Sequence, residues 1–593
     1  MASFRHIPSM ASIPLPRLQD RQGQGMNRHT MIPKIDEDKA FWPLVLLLVA
    51  MGSVYGILYP AHQSILDYGR VFAGITPMVP GSPWTLQQSQ LWSLLNQGAG
   101  LLLKLGYTDT SLDICVTGVQ AALAFTSTGL LAYAMGRNIW LAIVAPLAVF
   151  ELALKGLGPC YPIDIITGSS HGAFGLSSLA LTLGLMGSGK TRSGLFVLGV
   201  LPAVHLPWGG FAWLVMGASA AFEPRKLLRA MRMGAGWLLA GVAVSVASFL
   251  VQRLVIRSAP IPVDTHFLAA FAERYYKVIW DHRTTLHWSL EDALRVAATV
   301  AISLGALSAS GRAASPHRAF MCRALALSAL LAGLLLFLSN VCGEKSPFFQ
   351  IMPGKFFNLA IFPSAPLFIG SLRDRRGRWF MTLALSFIVV LAIVRFWHVD
   401  PSLVGGFMVC AAFSRLAAGG LGQFSPVGLA RPWLVSLAAA SMAVVFWITA
   451  YPVADAHLHT WANDGFQALV NNQSGGLLLA GNLPEGVVTR RPLAFNWALD
   501  YFPYLPETAK AIYERTRDLY GVDIMTLPDP KSRLTPAELW ASAAKRWKSL
   551  TREEWVALGR RYGFTGIVVS QGMRLNLPLA AQTCDMQLYA VEP

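Results

Sequence analysis

Long apolar runs separated by short polar stretches fill the chain from about residue 41 to residue 450. A helix crossing a bilayer needs about 20 mostly apolar residues. Runs that meet or nearly meet this length lie at 41–60, 112–135, 138–155, 170–187, 233–252, 293–310, 320–342, 356–371, 379–398, 402–418 and 432–450, which predicts about 11 spans. The stretch 193–221, SGLFVLGVLPAVHLPWGGFAWLVMGASAA, is too long for one untilted span and too short for two. Pro202, Pro207 and the pair Gly209 and Gly210 remove or weaken helix hydrogen bonds at its centre. It therefore reads as two short helices in a broken hairpin, with both ends on one side.

Lys and Arg concentrate in cytoplasmic loops, so charge tests the hairpin. With it, the inside segments carry 21 basic residues and the outside loops 9. Without it, every later loop changes sides, the counts become 16 and 14, and RDRRGR at 373–378 faces outward. The hairpin reading thus places the N-terminus in the cytoplasm. It places the loop containing YYKVIWDHRTTLHW (275–288) outside, with everything after Tyr451.

The periodicity changes again near residue 455. Asp, Glu, Lys and Arg return, and no later run is long enough to span. Amphipathic patterns predict helices at 506–519, 535–548 and 551–561, and short strands are predicted at 476–480, 486–490, 565–569 and 586–590. The fold class is therefore a polytopic α-helical membrane protein with a C-terminal extracytoplasmic α/β domain. Its organisation is a disordered cytoplasmic tail at 1–40, a transmembrane domain at 41–450 and the α/β domain at 455–593. The tail lacks the apolar core of a signal peptide, and Met26 or Met31 is an alternative start.

Composition supports the membrane class: 54% of residues are apolar and 13% charged, against roughly 25% charged in soluble domains. The excess of 48 basic over 32 acidic residues fits loops on an anionic leaflet better than nucleic-acid binding. Cys115, Cys160, Cys322, Cys342, Cys410 and Cys584 show no metal-ligand spacing. Cys160 and Cys342 both fall in predicted outer loops, where small buried hydrophobes explain them better than a disulfide does. GSGKT at 187–191 lacks the spacing of a phosphate-binding loop and its preceding strand, which excludes nucleotide binding there.

Several polar residues stand where chemistry is expected. Asp67, shortly after the first span, is placed to take a proton from an acceptor hydroxyl or hold a divalent cation; a surface or capping role explains it too. In the WDHR loop, Arg283 offers a planar fork to phosphate and His282 titrates near neutrality. With Asp281 and the aromatic Tyr275, Tyr276, Trp280 and Trp288, they form either a phosphate-and-sugar wall or an anchor at the headgroups. His171 opens the fourth run among small residues, after Asp164, as a ligand contact or part of a capped helix start. His205 interrupts the hairpin, as an intramembrane functional group or a structural partner of a freed carbonyl. Lys355, like Lys345, faces a lipid phosphate in a cavity or headgroups in general.

A cytoplasmic N-terminus, an acidic residue early in a long first outer loop, many spans with LPAVHLPWG at a broken hairpin, and an outer α/β domain resemble the GT-C superfamily of membrane glycosyltransferases. Within the outer domain, TRRPLAFNWALDYFPYLPETAKAIYERTRDLYGVDI, LGRRYGFTGIVVS and LYAV look like the outer domains of bacterial polytopic proteins assigned there. The resemblance implies an enzyme of the bacterial inner membrane that takes a sugar from a polyprenyl-phosphate donor at the outer face. A glycan or lipid hydroxyl would accept it in envelope glycan assembly. Asp67 would be the base, with Arg283 and Lys355 on the phosphate and His171 or His282 orienting the groups. Tyr68, not a second acid, follows Asp67, so no metal site is assigned and a divalent-cation cofactor stays open. The rival class is a transporter or flippase of a lipid-linked glycan, or a non-enzymatic assembly protein.

Overall fold

A computed structural model describes residues 37–58, 64–79, 82–151, 171–222, 224–256, 263–279, 315–342, 351, 353–361, 466, 469–470, 476–480, 490–495, 505–529, 533–583 and 586–591. The first apolar run, α1 (Glu37–Leu58), lies antiparallel to α5 (Asp109–Gly136). Glycine permits the approach. A Cβ on Gly52 would stand 2.5 Å from the Ala121 carbonyl oxygen, and one on Gly56 2.4 Å from that of Thr117. Small residues four apart let backbones touch, which matters where lipid removes the hydrophobic drive between helices.

The long first loop folds into α2 (Ser64–Ala73), α3 (Pro83–Gln90) and α4 (Leu94–Lys104), the last two capped by the hydroxyls of Ser82 and Ser93. After α5 come α6 (Ile139–Glu151), α7 (His171–Gly187), α8 (Thr191–Val204), α9 (Leu206–Ala221), α10 (Pro224–Val255) and α11 (Thr265–Val278). Then α12 (Pro316–Cys342) precedes a 3-10 turn, Pro353–Phe357, that runs into α13 (Asn358–Ile361).

The stretch 193–221 is indeed two short helices. His205 alone separates α8 from α9, in an extended conformation at φ −159°, and its ring accepts a hydrogen bond from the Trp208 amide at 3.3 Å. The helices fold back closely enough that a Cβ on Gly209 would stand 2.6 Å from Pro202 Cα. Both outer ends reach one end of the bundle. Ser219 Oγ, near the end of α9, bonds the Phe320 carbonyl, while Met321 and His317 flank Gly187 and Gly189 just before α8.

Four helices among the described residues are long and apolar enough to cross a membrane: Phe41–Leu58, Ser111–Gly136, Gly234–Val255 and Pro316–Ser339. That is fewer than the eleven expected. The runs 138–155 and 170–187 are helical over Ile139–Glu151 and His171–Gly187 and border residues outside the description. The runs 293–310, 379–398, 402–418 and 432–450 lie outside it entirely. In 356–371, the described residues form the end of the 3-10 turn and α13.

The two ends of the bundle differ chemically. One carries Arg137, whose guanidinium donates to the Ser188 and Gly187 carbonyls, Lys190 over the Phe41 ring, and Arg318 bonded to the Met135 carbonyl. The other gathers the first-loop helices, the His205 break and the C-terminal domain.

That domain is a five-stranded sheet in the order β2-β1-β3-β5-β4. Its strands are β1 (Leu477–Ala480), β2 (Leu493–Phe495), β3 (Phe564–Ser570), β4 (Leu579–Gln582) and β5 (Met586–Ala590). β1 runs parallel to β2 and β3; β5 is antiparallel to β3 and β4. Helices α14 (Ala509–Tyr520), α15 (Pro536–Ser549) and α16 (Arg552–Tyr562) accompany it. Thr535 and Thr551 begin α15 and α16 with reciprocal bonds to Glu538 and Glu554, each satisfying two orphan amides.

A strand stands at Leu493–Phe495; of the predicted 486–490, residues 486–489 lie outside the description. β4 carries no apolar alternation, its side chains being mostly exposed, so the sequence pattern did not reveal it. Residues distant in sequence complete the domain core: Phe271, Tyr275, Tyr276, Val278 and Ile279, with Trp84 and Val71 of the first loop, are all buried in it. The Leu534 amide bonds the Val278 carbonyl, and Arg274 pairs with Asp529.

Candidate functional site

Helix α2 presents an i, i+3 pair: Arg70 Nη1 stands 2.7 Å from Asp67 Oδ1. The Arg70 side chain is almost wholly buried and continues to a second carboxylate, with Nε 2.9 Å from Asp109 Oδ1 at the start of α5. Arg490 of the C-terminal domain closes the chain, placing Nε 3.1 Å and Nη2 3.0 Å from Asp109 Oδ2. Two uncharged bonds flank this ladder. Thr76 Oγ1 donates to the Arg490 carbonyl at 2.8 Å and Ser82 Oγ to that of Leu493 at 2.9 Å.

Burial is the largest single influence on Asp109 and pushes its pKa up, but Arg70 and Arg490 together outweigh it and hold the carboxyl below its ordinary value. Asp67 keeps about a quarter of its side chain exposed. Its second carboxylate oxygen has no partner among the described residues.

Beside Asp67, the Tyr68 ring meets the His171 ring edge-on at 5.0 Å. His171 Nε2 lies 2.6 Å from Asn96 Oδ1 of α4; that oxygen only accepts, so the nitrogen carries the proton. One turn along α7, Gly175 lets His205 and Trp208 close in, because a Cβ there would stand 2.9 Å from His205 Cβ and 2.5 Å from Trp208 Cδ1. Phe356, beside Lys355, stacks on Phe211 at 4.2 Å and meets Trp208 edge-on at 5.2 Å. Ser93 Oγ bonds the Val204 carbonyl at 3.0 Å, tying the first loop to the broken hairpin.

The fold therefore gathers Asp67, His171, His205 and Lys355 at one end of the bundle, although 288 residues separate Asp67 from Lys355 in sequence. Lys355 is only 4% exposed and is covered by protein, which replaces the reading that placed it among lipid headgroups. Nδ1 of His205 accepts from a backbone amide, so its proton sits on Nε2; it partners an orphan N–H of α9 rather than a freed carbonyl.

Asp281, His282 and Arg283, with Trp280 and Trp288, lie outside the described residues, as do Lys345, Asp164 and Cys160. Tyr275 and Tyr276, from the same aromatic stretch, are 1% and 2% exposed in the core of the C-terminal domain. They neither line a sugar site nor anchor at headgroups. α11 is amphipathic, and its apolar face is filled by the sheet domain. Among the described residues, no group of three or more His, Cys, Asp or Glu could hold a metal ion.

Sequence reasoning missed Arg70, Asn96, Asp109 and Arg490. The spacing of Asp67 and Arg70 on one helix face was the available signal. Asp109 follows a Thr cap and looks like an ordinary first-turn acid; nothing local marks Arg490. Comparison of the chain with protein-family models, curated proteins and solved structures found no match in any of the three.

Proposed function

We propose that the protein is a glycosyltransferase of the GT-C kind. It would take a sugar from a polyprenyl-phosphate donor at the outer face of a bacterial inner membrane and pass it to a glycan or lipid hydroxyl. The observation that carries this reading is the convergence on one bundle end of a first-loop carboxylate, two histidines and a protein-covered lysine. Asp67, oriented by Arg70 through one oxygen, would accept the hydroxyl proton with the other. Lys355, with Arg283 of the WDHR loop, would meet the growing negative charge of the leaving phosphate. His171 would orient the groups through its bond to Asn96.

The rival reading, carriage of a lipid-linked glycan across the bilayer, needs a polar route to the opposite end. α5 beyond Asp113, α7 beyond His171, α9, and α12 beyond Arg323 carry no Asp, Glu, Lys, Arg or His. Buried Leu, Ala, Met and Phe dominate that stretch and the uncharged Gln120, Thr126, Ser127, Thr128 and Thr182 are buried among them; these described helices thus offer no charged relay, which supports transfer over carriage. Arg137, Lys190 and Arg318 at the far end fit a cytoplasmic side.

The test supplies labelled polyprenyl-phosphate sugars to proteoliposomes holding the wild type or Asp67→Asn. Transfer by the wild type and a loss of about a hundred-fold or more in the variant are expected for a missing general base. Equal turnover, or none from the wild type, overturns the proposal.

A further inference from the structure

A cavity of about 370 Å³ lies where the first loop meets the edge of the sheet at which β1, β2 and β3 begin. Pro77 and Val79 form its first-loop wall, and the backbone at Gly476 and Gly563 contributes to the sheet side. The Thr76 and Ser82 bonds to the sheet domain hold this wall in place, so the cavity is made by the docking of the two parts.

Every charged residue of the lining is an arginine: Arg515, Arg560 and Arg561. Arg515 is 8% exposed. Its Nε donates to the Ala494 carbonyl at 3.0 Å, its Nη1 to that of Ala511 at 3.3 Å, and its guanidinium lies 4.9 Å from the Tyr562 ring centroid. These contacts fix the guanidinium plane. Behind the sheet wall, Arg491 donates to the Gly476 and Leu477 carbonyls at 3.3 and 3.1 Å.

Two acids stand near this charge among the described residues. Asp518 accepts from Arg561 Nη1 at 2.8 Å, Arg517 Nε at 2.7 Å and the Tyr562 hydroxyl at 2.6 Å, while Glu514 stands 4.0 Å from Arg561. Among the described residues, the lining thus holds three guanidinium groups, Arg515, Arg560 and Arg561, while the two carboxylates Asp518 and Glu514 both stand beside Arg561. Cations in the last turn of α16 complement its carbonyl end, which explains Arg560 and Arg561 in part. It does not explain Arg515, in the middle of α14, whose burial works against its charged form.

We propose that this cavity is a binding site for a small ligand carrying a phosphoryl group, independent of the reaction proposed above. A guanidinium offers phosphate a planar fork of donors, and charge-assisted hydrogen bonds are about twice as strong as neutral ones. The volume sits near the lower end of ligand pockets, about 300 Å³ upward, which suits pyrophosphate or a sugar phosphate. The apolar Pro77 and Val79 wall would cover its uncharged part.

The test is isothermal titration calorimetry of the full chain with inorganic pyrophosphate, in nanodiscs of zwitterionic lipid and in nanodiscs containing phosphatidylglycerol. Wild-type protein binds saturably. The exposed Arg560→Glu loses about ten-fold in affinity, or about 1.4 kcal/mol, and Arg560→Lys recovers part of that. Arg552→Glu, on the first turn of the same helix, binds as wild type. Equal binding in both nanodiscs assigns the site to a soluble phosphoester; binding suppressed by phosphatidylglycerol assigns it to a lipid headgroup, and either supports the proposal. No saturable wild-type binding, an unchanged Arg560→Glu, or an equal loss in Arg552→Glu overturns it.

Discussion

Replacing Arg70 by Met tests how the C-terminal domain is held on the first loop. The substitution keeps much of the apolar stem and removes the guanidinium that bridges Asp67 and Asp109. Asp109, with 15% of its side chain exposed, would keep only the half-exposed Arg490 as partner, and two carboxylates would face one another across the vacated space. Breaking a buried pair by removing one member costs about 3–5 kcal/mol, because the charge left behind has lost its partner but not its burial. At about 1.4 kcal/mol per factor of ten, amide hydrogen exchange in α2 and β2 should accelerate between about a hundred-fold and a few thousand-fold. Exchange in α15 and α16, remote from the ladder, should change far less. Arg70→Met with Asp109→Asn should recover part of the loss, since the second change removes the stranded charge. Acceleration below about two-fold in both segments, within the usual ±0.5 kcal/mol of surface substitutions, would refute the claim that this ladder fastens the domain.

Acid should loosen the same junction. The folded pKa of Asp109 is depressed from the ordinary 3.8, so its stabilisation is fully present above that value and is lost as pH falls through the lower folded one. Exchange of the α2 amides measured from neutral pH down to about 3 should accelerate, after correction for intrinsic rates, only in the acid limb and not in Asp109→Asn. Among the bundle helices, Gly52→Leu should destabilise the α1–α5 contact by about 1–3 kcal/mol, the usual cost of overpacking, because its Cβ would strike the Ala121 backbone. Thermal unfolding in detergent checks this against Gly217→Leu, where a Cβ meets nothing within 4 Å and no comparable loss is expected.

Local chemistry made much of this protein legible in advance. Apolar runs located helices because a bilayer demands their length. Pro202, Pro207 and two glycines marked the break at His205, because missing donors act within one turn. Strands β1, β3 and β5 and helices α15 and α16 were readable from alternation and capping residues. β4 was not, since an exposed edge strand needs no apolar face. Asp67, His171, His205 and Lys355 could each be singled out as polar groups in apolar surroundings, yet each also had a bland explanation that sequence could not remove.

Tertiary structure decided which of those groups meet and what surrounds them. Arg490 reaches Asp109 across 381 residues, and Arg515 and Arg560 share one cavity with Pro77 and Val79. No local pattern encodes these distances, because they follow from how the sheet domain sits on the first loop. The aromatic stretch from Tyr275 shows the same limit. Sequence showed only a cluster of aromatic and charged residues in a predicted loop, because the letters do not say what faces them. Only the fold determined that its apolar face is covered by the C-terminal domain rather than by sugar or lipid, because what buries a face depends on what packs against it.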